Sequence, residues 1–197
     1  MSHEVQDRIE TPLDTGEQCA ASGDGAATEA EAVTGAEDVA LTVNGSIRRA
    51  VAEPRHLLVD TLRAGCGLTG TRAGCHEGIC GTCTVLLGDL PTRSCLVLAH
   101  EVREPVTTVE ALEGDPEGDL IRSAFARHHA LQCGYCTAGF MMLALAMLRS
   151  GQRRTVEDVR AVASSNLCRC TGYRPIVAAL IDIVAARDLL DGDEVTP

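Results

Sequence analysis

Eight of the ten cysteines fall into two sets whose spacing suits metal ligation by thiolates. Cys75, Cys80 and Cys83 form C-x4-C-x2-C, and Cys95 follows after eleven residues. This is the plant-type [2Fe–2S] ferredoxin spacing, in which one loop supplies several thiolates and a neighbouring element the fourth. Such a loop must turn tightly and aim backbone N–H groups at sulfur. Gly74, Gly78 and Gly81 equip it for that, since glycine tolerates positive φ and has no Cβ to crowd a cluster. The second set is Cys133-Gly-Tyr-Cys136 and, thirty-one residues on, Cys168-Arg-Cys170. Both pairs abut expected helix starts, where unpaired N–H groups and the positive dipole end stabilise thiolates. A fold that joins those two helix ends makes a second four-thiolate site.

Other chemistries use the same residues. Cys133-Gly-Tyr-Cys136 has the form of a thioredoxin-like dithiol, but the βαβ context that motif needs is absent. Four cysteines are also a common structural zinc shell, so spacing alone leaves zinc open at both sites. Cys19 and Cys66 fall outside the two sets and read as spare thiols. Disulfides are disfavoured. The N-terminal residues have neither the basic nor the apolar region of a signal peptide, which predicts a cytoplasmic protein with reduced thiols.

Composition narrows the field further. Two Tyr, two Phe and no Trp leave the core to Val, Leu, Ile, Ala and Met. Two small domains built that way are marginal without a staple, and ligated cysteines supply one. The net charge is −11, and residues 1–38 hold ten acids against one arginine. The remainder is near neutral, with no basic patch for nucleic acid. The longest apolar run, Ala138 to Leu148, is far shorter than the roughly 18 residues of a membrane span.

The elements that must position these cysteines follow from pattern. Residues 1–38 lack apolar periodicity and read as a disordered acidic extension. Val39, Leu41 and Val43 alternate before an Asn44-Gly45 hairpin turn, and Ile47 to Ala52 returns. A short helix fits Leu57 to Ala64, burying Leu58 and Leu62. The cysteine loop runs from Gly65 to Gly81. A second hairpin turns at Gly88-Asp89, and Val106 to Val109 reads as a last strand. Residues 39–112 are thus expected to form one small β-rich α+β domain. In residues 113–190, helices are expected after Asp115-Pro116, over Ala138 to Arg149, after Thr155 with Asp158 as capping box, and from Pro175. Four helices in so short a stretch predict a compact bundle, with residues 191–197 as a tail.

Leu68-Thr-Gly-Thr-Arg-Ala-Gly-Cys75, Cys80-Gly-Thr-Cys83, Ser94-Cys95-Leu, Leu131-Gln-Cys-Gly-Tyr-Cys136 and Asn166-Leu-Cys-Arg-Cys-Thr-Gly-Tyr173 together resemble one family. It is the small iron–sulfur subunit of the molybdenum hydroxylases, the group of xanthine dehydrogenase and aerobic carbon monoxide dehydrogenase. The resemblance spans about residues 39–190 and favours iron–sulfur over zinc. It implies an N-terminal plant-type ferredoxin-like β-grasp domain and an all-α four-helix-bundle domain, each with one [2Fe–2S] cluster. It further implies a large subunit with molybdopterin, as the cytosine dinucleotide, a medium subunit with FAD, and a dimer of heterotrimers. Electrons would pass from molybdenum through both clusters to flavin. Cys133, Cys136, Cys168 and Cys170 would hold the cluster nearer molybdenum, and Cys75, Cys80, Cys83 and Cys95 the one nearer FAD. Gln132 matches the family glutamine that hydrogen-bonds the pterin, with Cys136 at the same edge. Three features depart from the pattern: Ala138 where proline is common, His76 and Glu77 after the first ligand, and the acidic extension.

Overall fold

The computed structural model describes residues 35–189. Most of the acidic extension (1–34, with Cys19), residue 190 and the expected tail 191–197 lie outside the described residues. Strand β1, Glu37–Val43, opens two residues before the expected start and pairs antiparallel with β2, Ser46–Ala52. Asn44 and Gly45 both take positive φ, as a two-residue hairpin turn of this hand requires. Val39, Leu41 and Val43 point inward and are buried.

Asn44 also fixes the next strand. Its amide donates to the Thr108 hydroxyl (2.9 Å), and its side-chain oxygen accepts from the Thr108 N–H (2.9 Å). Strands β3 (Thr84–Leu87), β4 (Leu90–Arg93) and β5 (Val106–Thr107) complete a mixed sheet of order β2-β1-β5-β3-β4, with β1 and β5 parallel. The last strand is shorter than its apolar pattern predicts. Thr108 is engaged by Asn44 and by the Glu110 carboxylate (2.6 Å), which also accepts from the Gly70 N–H (2.7 Å). Val109–Leu112 therefore turns into a 3₁₀ segment instead of continuing the ladder.

The expected short helix is present as α1, Leu58–Asp60, running on as a π turn over Thr61–Gly65. Leu58 and Leu62 pack under the sheet with Val39, Leu41, Val85 and Val106. Val59 faces the other way, onto Cys83 and Cys95.

Helices α2 (Pro116–Arg127), α3 (Thr137–Ser150), α4 (Val156–Ser164) and α5 (Arg174–Ala185) form the second half. The Asp115 carboxylate caps α2 by accepting from the Gly118 N–H at 2.9 Å. Thr155 and Asp158 close a capping box on α4. Removing that cap costs about 1 kcal/mol, so Thr155→Ala should lower the melting temperature by about 2–4 °C at unchanged iron content. Differential scanning calorimetry with iron analysis checks this. Helix α3 is buried nearly all round because it packs on α2 and α5 and also against β3 and β4. Leu86 of β3 belongs to the helical core. The two halves are therefore joined through packed apolar surface.

Candidate metal centres

The β3–β4 hairpin delivers two of the loop-site cysteines. Cys83 directly precedes β3 and Cys95 follows β4, and the Ser94 hydroxyl clasps the Cys83 carbonyl at 2.7 Å. Cys75 and Cys80 come from the loop itself. Gly78 and Gly81 adopt left-handed φ, and a Cβ on Gly74 would lie 3.0 Å from Cys80 Sγ. The loop turns its amides onto sulfur as expected. Cys75 Sγ accepts from the N–H groups of Cys80 (3.3 Å) and Glu77 (3.4 Å), and Cys95 Sγ from that of Gly78 (3.3 Å). Those amides hold the Cys75 thiol down to about 6, whereas burial, reinforced by neighbouring Cys83, pushes Cys95 up to about 11.

The second site closes across the helical half. Cys136 is the residue before α3, and Cys168 and Cys170 lie between α4 and α5. Cys170 and Cys133 meet sulfur to sulfur at 3.6 Å. Burial pushes Cys136 up to about 12, with neighbouring Cys168 adding to the rise. Burial also acts to raise Cys168, but hydrogen bonds from the Thr171 hydroxyl and nearby backbone outweigh it and leave that thiol lowered. All four cysteines line one cavity of about 250 Å³, together with Gly74, Cys80, Thr82 and Leu167. Among the described residues no three His, Cys, Asp or Glu side chains close on a single ion. Sulfurs distributed around a cavity, with amides and hydroxyls aimed at them, are a donor set that fits a [2Fe–2S] cluster.

The structure thus gathers all eight expected cysteines into two groups. Gln132 is exposed at the rim of the helical site, and Ala138 sits in the first turn of an intact α3. His76 takes a left-handed φ of 55° on the exposed loop. Cys66 is buried in the sheet core.

Sequence reasoning missed the seam between the sites. The Leu167 N–H donates to the Cys80 carbonyl at 2.9 Å, joining a cysteine of one group to the neighbour of a cysteine of the other. The Tyr135 hydroxyl donates to the Ala73 carbonyl (2.6 Å), and Arg93 spans from Thr84 to the Ser165 carbonyl (2.7 Å). Asn166 is wholly buried between Gly81 and Gly139. Only the family motif had touched this seam, through Tyr135, Asn166 and Leu167.

Eight cysteines in two groups, on a small mixed sheet and a packed helical unit, are the thiol arrangement expected of electron-transfer proteins of the two-cluster [2Fe–2S] class. The 2Fe-2S iron-sulfur cluster binding domain family matches residues 41–119, and the [2Fe-2S] binding domain family matches residues 108–181. The 6-hydroxypseudooxynicotine dehydrogenase complex subunit beta of Paenarthrobacter nicotinovorans is 45% identical over 149 residues, covering 74% of this chain and 92% of its own. The caffeine dehydrogenase subunit gamma of Pseudomonas sp. (strain CBB1) is 38% identical over 160 residues, covering 79% and 96%. A chain of quinoline 2-oxidoreductase from Pseudomonas putida 86 superposes with a TM-score of 0.71 at 42% identity, over 78% of this chain and 98% of that one. This chain belongs to the small iron–sulfur subunits of the molybdenum hydroxylases, the electron-transfer subunits of those oxidoreductase complexes.

Proposed function

We propose that this chain relays electrons from a molybdopterin cytosine dinucleotide site in a large subunit to FAD in a medium subunit, within a cytoplasmic dimer of heterotrimers. In this reading Cys133, Cys136, Cys168 and Cys170 are the ligands facing molybdenum, with Gln132 and Cys136 at the pterin edge. Cys75, Cys80, Cys83 and Cys95 are the ligands facing flavin. The sheet half acts as a β-grasp frame for the loop site, and α2–α5 as a four-helix bundle for the other. Each bound [2Fe–2S] cluster would supply a one-electron redox centre.

The observation that carries the reading is the convergence of eight thiols at two sites joined by the Leu167–Cys80 hydrogen bond. The surface agrees with it. Leu131, Tyr135 and Leu167 are exposed beside the helical site, and Ile79 and Leu96 beside the loop site. Apolar side chains grouped on a surface mark contact with another protein, so each site offers a rim to its own partner. The chain itself contributes no acid or base to substrate chemistry. Its amides and hydroxyls hold the thiolates, and its burial and hydrogen bonding tune the centres.

Metal and sulfide analysis of the purified complex tests this. About four iron and four acid-labile sulfide per small subunit are expected from two clusters. Half that content, or zinc at either site, refutes the two-cluster relay.

A further inference from the structure

The segment Asn166–Cys168 carries ligand Cys168 and, through Leu167, the hydrogen bond to Cys80. It lies in neither helix nor strand, since α4 ends at Ser164 and α5 begins at Arg174. We propose that Tyr173 is the positioning residue that clamps this strap, and that its hydroxyl fixes both the Cys168 ligand and the Leu167 bridge between the two sites. The hydroxyl accepts from the Cys168 N–H at 3.0 Å and donates to the Asn166 carbonyl at 3.1 Å. It therefore grips both ends of three residues whose middle N–H points at Cys80.

The rest of Tyr173 is arranged to hold that hydroxyl in place. Its ring stands edge-on to buried Phe140 of α3, with centroids 6.4 Å apart and planes at 78°. Its backbone has φ 67°, a left-handed conformation that is unfavourable for a residue other than glycine. Strain of that kind persists only where surrounding structure enforces it, and here the strained residue is the one that contacts the strap. Asn166 adds a wedge, its side chain filling the space that a Cβ on Gly81 would need. The electron-transfer meaning of the bridge rests on the relay proposed above, whereas the clamp rests on these contacts alone.

Tyr173→Phe in the assembled complex keeps the ring and deletes the hydroxyl. Iron and sulfide content should stay at the wild-type level. Amide exchange at Leu167 and Cys168 should accelerate by about fivefold or more, because both hydrogen bonds of the hydroxyl are lost. The magnetic interaction between the two reduced centres, read by electron paramagnetic resonance, should weaken. Unchanged exchange and unchanged interaction would overturn the clamp. If the variant fails to load its helical site, the wild-type complex still decides the matter. Its Leu167 and Cys168 amides must be protected like those of α5, and exchange at open-loop rates would refute the proposal. A complex whose substrate reduces neither centre, but whose amides are protected, would contradict the relay and leave the clamp standing.

Discussion

Cys80→Ser should let substrate reduce the molybdenum site and the helical-domain centre while slowing flavin reduction by more than about 100-fold. Losing an outer-shell partner of a metal ligand commonly costs 10–100-fold in affinity or activity, and a ligand exchange reaches deeper. Cys80 suits the experiment because its two roles separate. Its carbonyl takes the Leu167 N–H, and that backbone bond survives the substitution. Its sulfur, beside the Thr82 hydroxyl at 3.2 Å, is what serine replaces. The variant therefore impairs the loop site and leaves the seam in place. On the proposed order Cys136→Ser should do the reverse, disturbing the first transfer and weakening pterin binding. Rapid mixing with substrate, following each centre by its own spectrum, distinguishes the two. A Cys80 variant that blocked reduction of the helical-domain centre yet reduced flavin normally would reverse the proposed order.

Much of this arrangement is local and was readable as such. Cys75, Cys80 and Cys83 lie within nine residues, so spacing alone announced their convergence. The Asn44-Gly45 turn and the Thr155–Asp158 capping box are likewise two- and four-residue devices with residue-specific chemistry. What escaped the sequence is long-range. Strand β5 stops at Thr107 because Asn44, more than sixty residues earlier, takes the next residue out of the ladder. Helix α3 reads as buried from its composition, but nothing in that pattern says one of its faces meets β3 and β4. Glu37 and Asp38 join β1 by pairing with Ala52 and Val51 while exposed, which leaves no apolar alternation to betray a strand. The seam is the extreme case. Arg93 and Ser165, or Tyr135 and Ala73, lie more than sixty residues apart, and none bears the stamp of a ligand.

The second large effect is expected at that seam. Gly81 has φ 74° and Gly67 has φ 70°, so alanine meets the same left-handed penalty of about 1–2 kcal/mol at either place. Their surroundings differ. A Cβ on Gly67 meets nothing within 4 Å, whereas one on Gly81 would overlap the Asn166 side chain and lie 3.1 Å from its Cα. Asn166 cannot easily yield, being buried and tied through its carbonyl to Tyr173. Gly81→Ala therefore adds an overpacking cost of about 1–3 kcal/mol that Gly67→Ala lacks. Together the two terms are a large fraction of the roughly 5–15 kcal/mol that keeps a domain folded. Gly81→Ala should melt well below Gly67→Ala and lose iron, while Gly67→Ala keeps its full content. Adding Asn166→Ala removes the overlapping atoms, so the double variant should recover part of the loss, a non-additivity that independent sites do not show. Calorimetry and iron analysis on the wild type, the two glycine variants, Asn166→Ala and the double variant measure it. Equal melting of the two glycine variants would mean that the loop and the strap are not in contact as described.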